Sequence, residues 1–344
     1  GQLDLKLDGQ TIGDNDTSAT TFGLVAPLPL GGALRDRITL GLGILVPKGA
    51  IARARAPEVE APSFALLESR SEIVGIQVAL GYLLNERWSF GFGVLALATL
   101  EGDIRVDVDG AGRFVTKSEQ ELITNYAPVL GARYHQSEHK WRAGLTLRGA
   151  SQAGFDIAIT NSLGMSLPLS LPEFQIVGAP QYDPASVAME YSRRVLPRLD
   201  LGVQLEYKRW SSFPKPTKNP IPGDDVLADP GFHDTVVPRA SAEWHGSHGN
   251  TEITARAGYA FLLSPAPEMK GQQSLLDNHR HLAATGLGFA WPATSYPFRF
   301  DLWMQVHQLV SRSHTKSAET EASFAKVRGS GRIAIGGFTL GVEL

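Results

Sequence analysis

The chain has 344 residues, of which 43% are hydrophobic and 19% charged, and its formal net charge is -3. A mean hydropathy of -0.08, with no run near the ~20 apolar residues of a spanning helix, excludes a helical membrane protein, and the near-neutral charge argues against a nucleic-acid partner. Cysteine is absent, so disulfides and thiolate metal sites are excluded.

Patterning carries the rest. Leu3, Leu5 and Leu7 alternate with polar residues, which predicts a first strand. No leader pattern precedes it, and the expectation is that a leader and further residues are missing ahead of it. A short strand follows around Phe22 to Ala26, then a turn at Pro27 to Gly32. Ile38, Leu40, Leu42, Ile44 and Val46 give the next strand, with Thr39, Gly41 and Gly43 on its other face. A long loop reaches about Ser71. Ile76 to Leu84 returns, Asn85-Glu86-Arg87 turns, and Trp88, Phe90, Phe92, Val94, Ala96 and Ala98 go out again, extended through Ile104 to Val108. A loop at Asp109 to Glu119 leads to the strand Leu122 to Tyr134. After the turn at His135 to Lys140, Trp141 to Leu147 continues past a bulge near Gly149 to Phe155, Ile157 and Ile159.

A strand from Leu171 to Tyr191 turns at Leu196-Pro197-Arg198 and returns through Leu199 to Trp210. Pro214 to Gly231 is a Pro/Gly/Asp loop. Ala240 to Trp244, Ile253 to Phe261, His281 to Trp291 and Phe298 to Val306 follow, and the last strand ends at Phe338, Leu340, Val342 and Leu344. The stretch Phe298 to Val306 shows the pattern best: every second residue is large and apolar, with Arg299, Asp301, Trp303 and Gln305 between.

These segments predict an all-β chain, a single transmembrane antiparallel β-barrel of about fourteen strands over residues 1–344. Short turns alternate with long loops, the asymmetry of periplasmic turns and extracellular loops. Trp88, Phe90, Tyr134, Trp141, Tyr191, Trp244, Trp291 and Phe298 cluster beside the short turns as one interfacial girdle. A soluble sandwich gives no reason to hold tryptophans at one level. The expected location is the bacterial outer membrane.

The segments also resemble the FadL/TodX family of outer-membrane transporters for long-chain fatty acids and other hydrophobic compounds. The resemblance rests on Leu171-Pro172-Glu173-Phe174 with Asp183-Pro184, on Tyr207 to Phe213, and on Ala255 to Tyr259 followed by Ser264-Pro265-Ala266-Pro267. It rests also on Asp277 to His281 and on Asn85 to Phe92. It implies passive uptake of hydrophobic small molecules or lipids. Two departures stand out: the family's N-terminal plug is not in this chain, and the loop at Asp109 to Glu119 is short where the family's capture loop is long. The alternative is therefore a scaffold or partner-binding subunit of a larger outer-membrane or secretion complex, contacting other outer-membrane proteins as well as lipid.

If the large apolar residues face lipid, their alternates face the lumen. Arg148, Arg239, Arg256 and Arg299 are then candidates to meet an anionic head group, because a guanidinium matches a carboxylate bidentately. A lumen packed by ion pairs with Glu190, Glu206, Glu243 and Asp301 accounts for the same residues without a ligand. Trp303, Leu95 and Leu97 are candidate lining for a hydrophobic cargo, or packing for a loop. Gly41 and Gly43 weaken their strand; in the family a kink there opens a lateral exit, and the same is expected here. His279 and His281 share a face but lack a third ligand, so no metal and no cofactor is expected. No Gly-x-Ser-x-Gly, HExxH or P-loop occurs, and no enzyme is expected.

Overall fold

The structure is a computed structural model. It describes the chain except residues 13–16, 49–51, 54–61, 65, 68–71, 109–113, 138–139, 162–173, 215–216, 219–229, 270–273, 293, 295, 317–324 and 344.

The first half holds β1 (Gln2–Leu7), β2 (Gln10–Ile12), β3 (Ala19–Pro27), β4 (Ile38–Pro47), β5 (Ala52–Arg53), β6 (Glu72–Ile73), β7 (Gly75–Leu83), β8 (Trp88–Val108), β9 (Phe114–Gln136), β10 (Trp141–Arg148) and β11 (Ser151–Asn161). The second half holds β12 (Phe174–Asp183), β13 (Ser186–Leu196), β14 (Leu199–Lys208), β15 (Thr217–Lys218), β16 (Thr235–His248), β17 (Thr251–Leu262), β18 (Arg280–Trp291), β19 (Phe298–Leu309), β20 (Arg312–Thr315) and β21 (Lys326–Val342).

Antiparallel ladders join β3, β4, β7, β8, β9, β10, β13, β14, β16, β17, β18, β19 and β21 in that order, and β1 follows β21. These are fourteen strands; β1 meets β21 only along its outer half and also pairs with β2. The count agrees with the alternation. No ladder joins β3 to β21 among the described residues, so the cylinder is not closed there.

Alternation sets the two faces. Phe22, Leu42, Val78, Phe92, Met189, Val203, Leu302, Met304, Phe338 and Leu340 all point outward and stay exposed. A soluble fold does not leave a continuous apolar belt in water; lipid is the solvent that fits it. At the level of the short turns the outward aromatics touch one another. Trp88 lies 4.9 Å from Tyr134, Tyr134 5.1 Å from Trp141, and Trp141 5.8 Å from Tyr191. Trp291 stacks on Phe298 at 5.4 Å. Outward Arg328 and Arg332 on β21 mark the opposite rim of the belt.

Three expectations are corrected. The hairpin β8–β9 pairs in register out to Val108 and Phe114, so strand continues where a loop was expected to reach Glu119. The bulge expected after Leu147 is a true break: β11 leaves the wall and runs parallel to the outer part of β8 (Phe155 opposite Leu100), while β13 takes the place beside β10 (Leu147 opposite Val187). The strand expected from Leu171 to Tyr191 is divided at Pro184-Ala185 into β12 and β13, because proline supplies no ladder N–H; Leu171 to Glu173 lie outside the described residues.

The buried core sits at the outer end, inside the rim. Leu5, Leu309, Val327 and Ile333 point inward from β1, β19 and β21, and Phe64, Met269 and Leu276 come down on them from two loops. Asn278 locks this cap: its Nδ2 donates to the carbonyls of Val310 and Gly329, each at 2.9 Å. His314 is completely buried, with Nε2 3.2 Å from Asn278 Oδ1. Arg312 donates to the carbonyl of Ala266 at 2.9 Å. A second cluster of Leu66, Tyr182, Trp210, Phe232 and Ala266 covers the neighbouring sector.

Candidate functional site in the lumen

The lumen has two unlike walls. On β3 to β9 the inward positions are nearly bare. Gly23 faces Gly43, Gly41 faces Ala79, Ala79 faces Gly93, and Gly81 faces Gly91, which faces Gly131. Higher on this wall Leu45, Leu95 and Leu97 close around Gly75, and Leu97 is only 6% exposed. Leu95 and Leu97 thus face inward as expected but are packed together.

The wall from β10 to β19 carries a run of charges near the short-turn rim. Arg194 Nε donates to Asp200 at 2.7 Å, and Arg142 lies 3.8 Å from the same carboxylate. His245 Nε2 is 3.4 Å from Asp200 and 3.2 Å from Glu243. Arg256 bonds Glu243 at 2.6 Å and Asp301 at 2.9 Å, and Arg299 holds Asp301 at 2.6 Å. Higher up, Arg239 pairs with Glu206 at 2.7 Å and with Gln204 at 2.9 Å. Each strand contributes alternate residues, so the run crosses strands at one height.

Of the expected cargo arginines, Arg239, Arg256 and Arg299 are therefore ion-paired to the wall. Arg148 is exposed and has no ion-pair partner among the described residues. Trp303 faces inward with its ring lying over Gly337, where an added Cβ would meet it at 2.7 Å. Sequence reasoning passed over Arg133, whose alternation with Ala132 and Tyr134 places it inward; it too has no ion-pair partner among the described residues. Asp200 and His245 were missed because they sit beside turns, yet they share the parity of Gln204 and Glu243.

Two lumen cavities meet at Arg133 and Glu190. One, of about 550 Å³, is lined by Arg133, Arg142, Arg239, Gly258, Ala260 and Leu282 among others. The other, of about 480 Å³, lies against the bare wall at Thr39, Gly81, Gly91 and Gly131.

The ladders through Gly41 and Gly43 are unbroken on both sides, from Ala19–Pro27 across to Pro47–Thr39 and from Ile38–Leu45 across to Tyr82–Gly75. The lateral opening expected at these glycines is not formed. Asp200, Glu243 and His245 bring three ligand-type atoms within 4.8 Å of one another. Arginines already hold both carboxylates, so the group belongs to the ion-pair run. His279 Nδ1 accepts from the Ser264 N–H at 2.8 Å, and His281 Nδ1 is 2.7 Å from the Tyr259 hydroxyl.

A strand wall with an apolar exterior, an aromatic girdle and a polar lumen holding cavities defines an outer-membrane β-barrel transport protein. The particular family follows from comparison. Residues 4–334 match the family model "Outer membrane protein transport protein (OMPP1/FadL/TodX)", and the chain belongs to that FadL/TodX family, whose members are outer-membrane transport channels for hydrophobic compounds. Among solved structures it is similar to a Pseudomonas aeruginosa FadL homologue, at a TM-score of 0.55 and 15% identity over 93% of this chain and 76% of that one. It is also similar to the P. putida toluene transporter TodX, at 0.53 and 12% identity over 99% and 87%. No curated protein matches the chain.

Proposed function

We propose that this barrel takes up hydrophobic small molecules such as long-chain fatty acids passively, through the lumen. The observation that carries this reading is the cavity of about 550 Å³, whose lining combines Gly258, Ala260, Leu282 and Ala284 with Arg133, Arg142 and Arg239. The apolar floor gains by removing an acyl chain from water, about 25 cal/mol per Å². The Arg133 guanidinium, which has no ion-pair partner among the described residues, offers two parallel donors to a carboxylate. Residues within the ion-pair run hold the wall rather than the cargo.

The test is uptake of labelled fatty acid by cells lacking their own transporter. Expression of this chain restores uptake, and Arg133→Ala lowers it for an acid while leaving a neutral hydrocarbon of equal length unaffected. Absent uptake of both, together with co-purified subunits, favours the scaffold reading instead.

A further inference from the structure

The two rims of the membrane belt carry different chemistry on the sector from β18 to β21 and β1. At the short-turn rim the outward residues are Trp291, Phe298 and Val342, with Trp291 stacked on Phe298. At the long-loop rim they are polar and mostly basic. Lys326, Arg328, Ser330 and Arg332 point outward from β21, alternating with Val327, Gly329, Gly331 and Ile333, which are buried. Gln308 of β19 stands opposite Arg332, and Ser313 of β20 opposite Arg328. On β1, Asp4 and Lys6 stand opposite Arg332 and Ser330.

Height places these cations at the edge of the hydrocarbon. Val342 lies level with Phe298 in the aromatic girdle. The stretch of β21 between residues 342 and 332, at ~3.3 Å per residue and a tilt of ~40°, rises about 25 Å, the height of the apolar band. Phe338 and Leu340 fill that span on the outer face. Arg332 therefore sits where acyl chains give way to head groups, and Arg328 and Lys326 stand above it. The protein does not use up this charge. Neither the Arg328 nor the Arg332 guanidinium has an ion-pair partner among the described residues. Asp4 is opposite Arg332 but is held by Lys6 at 3.6 Å. Asp8 accepts from the Arg328 backbone N–H at 2.8 Å, not from its side chain. Arg328 Nε donates to Ser311 Oγ at 2.9 Å, which holds the guanidinium against the wall.

We propose that Arg328, Ser330, Arg332 and Lys6 form a docking site, on the outside of the barrel, for a phosphate of the glycolipid that makes up the outer leaflet of an outer membrane, the lipid A part of lipopolysaccharide. Chemistry and height select it. A guanidinium matches phosphate oxygens bidentately, and the Lys6 ammonium adds a point charge. The Ser330 hydroxyl supplies a further donor. A lipid brings its phosphate to this height and lays its acyl chains on Leu302, Met304, Phe338 and Leu340 below, so one molecule satisfies both the cations and the belt. A free anion would meet only exposed charges in full solvent, where such pairs are weak. The site lies on the far side of the wall from the lumen cavities and owes nothing to the cargo.

The experiment titrates the full barrel, purified in detergent, with bis-phosphorylated lipid A, with the same lipid freed of its phosphates, and with inorganic phosphate. Bound species are counted by native mass spectrometry. The expected result is retention of the bis-phosphorylated lipid, with much weaker binding of the other two. Arg328→Gln combined with Arg332→Gln should lower its affinity about tenfold. Asp4→Asn, which removes the acid facing Arg332, should raise it. Arg35→Gln, at an exposed turn on the opposite rim, should leave it unchanged. Equal binding of both lipids, competition by inorganic phosphate at the same concentration, an equal loss with Arg35→Gln, or a double variant that binds like the parent would each overturn the proposal. Asp4→Asn reads the site by a gain, so a double variant that fails to fold still leaves a decisive arm. None of these readouts depends on uptake.

Discussion

Arg256 reaches Asp301 across an intervening strand. The two lie on β17 and β19, yet Nη1 is 2.9 Å from Oδ1, because the inward residue of β18 between them is Gly288. A Cβ on Gly288 would stand 2.5 Å from that Asp301 oxygen and 3.2 Å from Nη1.

Gly288→Ala is therefore expected to lower barrel stability by about 1–3 kcal/mol through overpacking and loss of the pair. The same substitution in an Asp301→Ala background should cost measurably less. Urea unfolding of the four proteins in detergent or bilayer gives the coupling; equal costs in both backgrounds would remove the bridge from the account.

The face assignment is tested on β19 itself. Leu302 faces lipid and Gln305 faces the lumen. Leu302→Arg is expected to cost about 2–4 kcal/mol near the bilayer midplane, and Gln305→Arg well under half of that. Reversed costs in a bilayer folding titration would turn the strand inside out.

Asn278 holds the outer cap through two backbone carbonyls. Asn278→Ala leaves both unsatisfied in a buried site and is expected to destabilise the cap by about 2–3 kcal/mol. The loss should be local. Amide exchange should speed up around Val310 and Gly329 while the inner halves of β16 to β19 stay protected.

The cap should also respond to acid. Burial, reinforced by Arg312, pushes the His314 imidazole down to about 4. Once freed it binds its proton near 6.5, so the contribution of His314 is complete above that pH and is lost as pH falls towards 4. Asp277 works oppositely. Burial raises its carboxyl, so its contribution is complete in acid and declines as pH rises through the raised value. Cap opening, followed by amide exchange corrected for intrinsic rates, should increase below pH 6.5, and His314→Gln should flatten that acid limb.

The strands were legible because lipid outside and polar lumen inside impose a period of two, as from Phe298 to Val306. Turn positions and the aromatic girdle were legible for the same reason: the membrane fixes their height. The inward set followed from parity alone, which found Arg256 and Asp301 but could not tell that Gly288 lets them meet. Parity also could not tell that β11 leaves the wall, because an alternating strand looks the same whichever neighbour it joins. The cap was invisible. Phe64, Leu276 and Asn278 lie in loops with no period, and their burial depends on contacts far along the chain.

The contrast between a wall of bare glycines and a wall of charges makes the passage one-sided. A molecule with a polar end and an oily body would not tumble freely as it moves. It would travel side-on, its head held at Arg133 where the two walls meet and its body against Gly258, Ala260 and Leu282, like a key held to one side of its slot. Length would then matter less than the placement of polarity along the solute, and two compounds of equal hydrophobicity could cross at very different rates.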